Sequence, residues 1–231
     1  YDLAGNLYVT TSVGEVLSFT IKTGTLNWRY EIDAPIMDPP TVMDNTIFFT
    51  DVSNVSRSIS STGNLNWVVR GIPYNQIRAT TSQPVPAGDF LLLSSSSGIL
   101  SAVDKETGFE KWDFKFNFNR AGFTQNTFGF FNGLPAVYDD KIYFGSVSGQ
   151  FNALKLDGEV LWEINVGLQG TPLLLSNSIF FVSDTNNLIR LNKRNGTLIW
   201  SKKLGSKNDL RNYFSPILIG SKIWIASSEG K

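Results

Sequence analysis

Five times along this chain a glycine is followed four residues later by a tryptophan: Gly24/Trp28, Gly63/Trp67, Gly108/Trp112, Gly158/Trp162 and Gly196/Trp200. The internal spacing never changes, and successive tryptophans lie 38 to 50 residues apart. A repeat of that period confines the chain to architectures built from one recurring supersecondary unit. Upstream of each pair runs a strand-like segment, clearest in Gly98-Ile99-Leu100-Ser101-Ala102-Val103-Asp104-Lys105-Glu106-Thr107-Gly108. A short polar turn ending in the glycine reverses the chain and sets the tryptophan on the following strand.

A second unit alternates with the first and reads apolar–apolar–turn–turn–x–apolar–aromatic–apolar. It occurs at Val42–Phe49, Val137–Phe144 and Leu174–Phe181, with looser copies starting at Asp2, Val85 and Leu218. Each copy joins two apolar runs through a turn of Asp, Asn, Ser or Gly, which is the chemistry of a tight hairpin. One hairpin plus one Gly-x-x-x-Trp unit makes four strands per repeat of about 40–45 residues, the signature of a β-propeller blade. The expected fold is therefore all-β: a β-propeller of four-stranded antiparallel blades, five nearly complete and half of a sixth, within a larger, eight-bladed ring. The blades are expected at about 1–33, 35–71, 82–118, 134–167, 171–205 and, in part, 215–231, in a single domain. A tryptophan at one fixed place per blade is expected to pack between neighbouring sheets. Trp224, outside that register, is expected in the inter-blade core.

Composition removes most chemistries. The 231 residues include no cysteine and no histidine, so thiolate zinc sites, cysteine nucleophiles and Ser-His-Asp triads are excluded. Twenty basic against twenty acidic residues leave no bulk field for nucleic acid. Locally the balance tips: residues 1–51 carry seven acidic groups to two basic, and 190–211 carry seven basic to one acidic. These read as solvated faces rather than as a contact between the two segments.

No Gly-His…Trp-Asp pattern and no kelch double glycine is present. The run Gly-x-Leu-x-Ala-Val-Asp-x-x-Thr-Gly-x-x-x-Trp at 98–112 instead resembles the quinoprotein-type repeat, shared by quinone-dependent dehydrogenases and by non-catalytic propellers. Ile77-Arg78-Ala79-Thr80-Thr81-Ser82-Gln83-Pro84 is similar to an inter-blade loop of the BamB family, and Phe180-Phe181-Val182-Ser183-Asp184 through Ser228-Glu229-Gly230 is similar to that family's later blades. The resemblance implies a non-enzymatic periplasmic scaffold that helps assemble and insert outer-membrane β-barrels, without catalytic, cofactor or metal residues. It implies as protein partners the periplasmic domains of the barrel-assembly subunit, and unfolded barrels as a second kind. It also implies a lipid anchor to the outer membrane lying outside this chain. Where the family often places an acidic pair before the next blade's proline, this chain has Phe130 and Asn132 before Pro135.

The alternative is a dehydrogenase dependent on the quinone PQQ, or a related sensor. Such an enzyme would need calcium, an Asp base and typically a vicinal cysteine pair, and the absence of cysteine excludes the last. Asp44, Asp139, Asp140, Asp104 and Asp157 sit at turn positions, where Asp is expected for backbone reasons.

Two connections stand out as candidate contact loops, because propellers bind through loops at the ends of their blades. Arg70–Arg78 offers Tyr74, Asn75, Ile77 and Arg78, residue types found at binding hot spots; its alternative role is a plug at the blade junction. The segment 113–133 carries Phe114, Phe116, Phe118, Phe123, Phe128, Phe130 and Phe131. It is either a lid packed on the fold or a contact surface, with Phe128 and Phe130 the candidates for contact.

Overall fold

The computed structural model describes residues 1–71, 83–116, 131, 133–147, 149–206 and 211–230. Among them every regular element is a strand. The first sheet has three strands, β1 (Asn6–Thr10), β2 (Glu15–Thr20) and β3 (Leu26–Glu31). Four four-stranded sheets follow. The second is β4 (Thr41–Met43), β5 (Thr46–Thr50), β6 (Val55–Ser60) and β7 (Leu65–Arg70). The third is β8 (Val85–Ala87), β9 (Phe90–Ser94), β10 (Ile99–Asp104) and β11 (Glu110–Lys115). The fourth is β12 (Ala136–Tyr138), β13 (Lys141–Gly145), β14 (Phe151–Lys155) and β15 (Val160–Ile164). The fifth is β16 (Leu168–Leu175), β17 (Ser178–Ser183), β18 (Asn187–Asn192) and β19 (Leu198–Lys203). A two-stranded sheet, β20 (Ile217–Ile219) and β21 (Lys222–Trp224), closes the series. Each sheet is an antiparallel meander in chain order, the build of a propeller blade. The residues gather into two compact units, Tyr1–Asp113 and Phe114–Lys231.

Local chemistry explains the strand boundaries. Asp44-Asn45 and Asp139-Asp140 have φ of 49°, 60°, 51° and 54°, so both central residues are left-handed, as a two-residue hairpin of type I′ requires. Four of the nine prolines, Pro40, Pro84, Pro135 and Pro216, immediately precede the first strand of a sheet, and Pro172 lies inside β16 where its register with β17 is broken between Gln169 and Leu173. A residue without N–H suits a strand start, where no ladder donor is needed. The first sheet departs from the expected hairpin: Leu3 and Ala4 form a turn, and Asp2 N–H bonds Asn6 O at 3.0 Å without a paired strand. The Asp2 carboxylate accepts from Asn6 N (2.8 Å), Asn6 Nδ2 (2.9 Å) and the Tyr8 hydroxyl (2.7 Å).

Burial in the four-stranded sheets is greatest on the middle strands and least on the fourth. The second strands of the four-stranded sheets are buried nearly throughout, whereas β3, β7, β11, β15 and β19 are mostly exposed. Second strands read as unbroken apolar runs because both of their faces are covered. Ile47, Phe49 and Ile59 pack with Tyr8, Val16 and Ile36 of the preceding segment. Phe48, from the opposite face of the same strand, packs with Trp67, Leu91, Leu93 and Val103. In the second unit Tyr143, Phe151, Ala153, Leu168, Ile179, Phe181, Ile189 and Leu191 form the corresponding cluster. Each such ring or aliphatic side chain contributes roughly 1.5–3 kcal/mol through burial.

The tryptophans join consecutive sheets. The indole N–H groups of Trp28, Trp67 and Trp162 donate to Ser61 O (2.8 Å), Lys105 O (3.1 Å) and Lys193 O (3.2 Å), each in the reversal turn of the next sheet. Their burial is unequal. Trp67 is buried, Trp28, Trp112 and Trp162 are half-buried, and Trp200 is 36% exposed beside Phe180 of its own sheet. The sheet after Trp200 has no third or fourth strand among the described residues, so no reversal turn there meets the ring. Trp224, expected in the inter-blade core, is 54% exposed on β21.

Candidate partner-binding loops

The connection after β7 is anchored at both described ends. Asp51, 1% exposed, shapes the β5–β6 turn: its Oδ1 accepts Ser53 N (2.8 Å) and Val55 N (3.1 Å), and its Oδ2 pairs with Arg57 Nη1 at 2.6 Å. That turn holds Asn54 at φ 58°. Asn54 O accepts Gly71 N–H (2.8 Å), and Gly71 approaches so closely that a Cβ there would lie 2.9 Å from that oxygen. The Asn54 side chain is bonded in both directions to the next sheet, Nδ2 to Ser96 Oγ (2.7 Å) and Oδ1 from Ser96 N–H (3.2 Å). Where the connection returns, Gln83 Nε2 donates to Thr41 Oγ1 (3.1 Å), and the Thr41 hydroxyl donates to Pro84 O. Tyr74, Asn75, Ile77 and Arg78 lie between these anchors, outside the described residues.

Of the seven phenylalanines of the next connection, the three described ones are core. Phe116 and Phe131 are buried, and with Phe114 they surround Phe144 at centroid distances of 5.2–6.1 Å. Phe128 and Phe130, like Phe118 and Phe123, lie outside the described residues.

A third connection, after β19, has the first one's construction and was not singled out from the sequence. Asn186 at φ 57° accepts Leu204 N–H through its carbonyl (2.9 Å) and donates from Nδ2 to Arg211 O (3.0 Å). Lys203 Nζ donates to Thr185 O (2.6 Å) alongside. The returning residues wall a groove of about 640 Å³ with Val147, Gln169, Gly170, Asn212, Tyr213 and Phe214. The signal was present in the repeat: Gly14, Gly98 and Gly149 close the corresponding turns of the other sheets, and asparagine replaces them only at 54 and 186.

The carboxylates considered for catalysis have structural work. Asp44, Asp139 and Asp140 are hairpin residues, Asp104 Oδ1 accepts Glu106 N and Thr107 N (3.1 and 2.9 Å), and Asp157 Oδ1 accepts Glu159 N (3.0 Å). No three Asp or Glu residues come together as a metal site among the described residues. The arrangement is one of loops held at their bases by hydrogen bonds, buried at the first connection and part-buried or exposed at the third.

The family model described as outer membrane protein assembly factor BamB matches residues 3–124 and 116–231. This chain belongs to that family. A BamB of Moranella endobia (strain PCIT) is 26% identical over 233 residues, covering 99% of this chain and 58% of that protein. The chain thus spans somewhat more than half the length of that relative. The crystal structure of BamB from Moraxella catarrhalis superposes with a TM-score of 0.86 at 17% identity, over 98% of this chain and 69% of that one. A europium-containing methanol dehydrogenase superposes at 0.67 with 14% identity, over 86% and 49%. At these identities the superpositions establish a common β-propeller fold, which BamB shares with dehydrogenases.

Proposed function

We propose that the chain is a non-catalytic scaffold, periplasmic and associated with the outer membrane, that binds protein partners through its inter-sheet loops and aids assembly and insertion of outer-membrane β-barrels. The family match across nearly every residue carries this reading. The loop anchors support it, because a contact loop held at its base loses less freedom on binding. The principal partner is the periplasmic part of the barrel-assembly subunit, with unfolded barrels as a second client and a lipid anchor supplied outside this chain. Ile77 fills an apolar pocket on the partner, and Arg78 presents a planar, multi-donor head to a carboxylate or carbonyl. Tyr74 and Asn75 flank them, and Phe128 and Phe130 extend the contact.

The test is direct binding of the purified protein to immobilised periplasmic domains of the barrel-assembly subunit, with and without Arg78→Glu. Tight binding lost on charge reversal is expected. Absence of any binding, together with a thermal shift and a new absorbance band on adding PQQ and calcium, would replace the scaffold by the dehydrogenase-like alternative.

A further inference from the structure

We infer that residues 211–215 and the groove beside them form a second protein-contact surface, which takes a partner segment presenting a carboxylate next to an apolar side chain. The inference rests on the scaffold reading and deepens it.

The sequence repeats itself at this point. Asn75-Gln76-Ile77-Arg78 and Asn208-Asp209-Leu210-Arg211 share the order Asn, any residue, aliphatic, Arg. The arginine stands six residues before the opening proline of the next sheet in the first case (Pro84) and five in the second (Pro216). The two connections have similar lengths, 13 residues at 71–83 and 12 at 204–215, whereas 32–39, 116–134 and 165–167 hold 8, 19 and 3.

The anchoring repeats too. Asn54 and Asn186 are non-glycine residues in the left-handed region, which asparagine enters more readily than most residues. Each receives the first amide of its connection on its carbonyl, Gly71 at 2.8 Å and Leu204 at 2.9 Å. Each sends its side-chain amide onward, to Ser96 and to Arg211 O. Glycine at these turns would keep the backbone and lose the second bond.

The groove decides what the second surface accepts. Phe214 is 56% exposed and Val147 37%, which leaves an apolar wall. Gln169 and Asn212 add side-chain amides that suit an extended peptide backbone. Among the described residues no charged side chain lines the groove, and Arg211, Lys203, Asp184 and Glu229 lie around it. Arg211 pairs with Glu229 at 3.8 Å, and that glutamate is 59% exposed. Arg211 itself is half-buried at 26% exposure, and at 3.8 Å its contact with Glu229 is too long for a charge-assisted hydrogen bond, so a better-placed carboxylate can replace it. A partner carboxylate would take the place of Glu229 on the guanidinium while the neighbouring apolar side chain covers Phe214. Lys203, whose Nζ reaches Thr185 O beside the Asn186 anchor, adds a second cation near Arg211 and favours an anionic segment.

The test measures affinity of the intact protein for the periplasmic domains of the barrel-assembly subunit, with the urea unfolding midpoint recorded for every variant. Arg211→Gln and Phe214→Ser are each expected to weaken binding at least tenfold with the midpoint unchanged. Glu229→Gln is expected to leave affinity the same or tighter, and a photo-crosslinker at position 214 to yield a product with the partner. If Arg211→Gln also lowers the midpoint, Phe214→Ser and the crosslink decide, since that exposed ring is not needed for folding. If Arg78→Glu weakens binding while Arg211→Gln and Phe214→Ser stay within twofold and no crosslink forms, the second surface is overturned and the scaffold reading stands. If all three variants bind as the native protein does, both contact surfaces are overturned while the scaffold reading stands; if the native protein itself shows no binding, the scaffold reading fails and this inference with it.

Discussion

Trp67 rests directly on Gly108. A Cβ built on the glycine would come within 2.9 Å of the indole Cδ2, and the glycine itself has φ 74°. The same contact joins Trp28 to Gly63 at 3.0 Å and Trp162 to Gly196 at 2.7 Å. At these three positions the glycine is thus required by the tryptophan of the motif before it, as well as by its own turn.

Gly108→Ala should therefore cost more than Gly24→Ala. Both residues are left-handed, but nothing lies within 4 Å of a Cβ at Gly24. The Gly24 change should cost about 1–2 kcal/mol for conformation alone. At Gly108 the displaced indole adds about 1–3 kcal/mol of overpacking. Urea unfolding of both variants checks the difference, and equal costs would mean that the indole yields freely.

Trp67→Ala should lose about 3–5 kcal/mol, through burial and the cavity left behind. Trp200→Ala, at a ring already 36% exposed, should lose only about 1–2 kcal/mol. The same denaturation series orders the two.

The Asp2–Tyr8 pair should leave a pH signature at both extremes. Burial pushes the Asp2 carboxyl up, but hydrogen bonds from Asn6 and Tyr8 outweigh it and hold it at about 2, below the ordinary 3.8. Burial, with the bond to Asp2, pushes the Tyr8 phenol up from 10.0 to about 12. A carboxyl held low stabilises above pH 3.8 and loses that contribution as pH falls toward 2. A phenol held high stabilises below pH 10 and loses it as pH rises toward 12. The stability gap between the native chain and Asp2→Asn should be widest between these limits and vanish near pH 2, as followed by thermal melting.

On the proposed scaffold reading, Arg78→Glu should weaken binding to the periplasmic domains of the barrel-assembly subunit by about 2 kcal/mol or more, because it reverses a charge at the proposed contact. Melting temperature should not change. A parallel loss of stability would give Arg78 a structural role instead.

The sheets were legible from the sequence because hairpin turns and the Gly-x-x-x-Trp interval are written within each repeat. Asp44-Asn45 and Asp139-Asp140 announce their turns through residue type alone. The exposure of Trp200 and Trp224 was not legible, since it depends on which turn lies across from the ring. Phe114, Phe116 and Phe131 could not be divided between lid and surface, because only the position of Phe144 shows that they face inward. The anchors Asn54 and Asn186 were overlooked because asparagine in a turn is ordinary. Their meaning appears only when all five turns are superposed and glycine is found in the other three.

The glycine-on-tryptophan contact also gives the chain a direction. At the three junctions that show it, one repeat offers a flat ring forward and the next a bare backbone patch behind, like a stud and a socket of one standard size. Repeats that share this coupling are interchangeable at their junctions, so a duplicated copy fits its neighbours without redesigning either side. Stability then accumulates junction by junction, as in a linear array of nearest-neighbour couplings. Loops elsewhere on each repeat stay free to diverge, which lets one repeat specialise in recognition while the next keeps only its place in line.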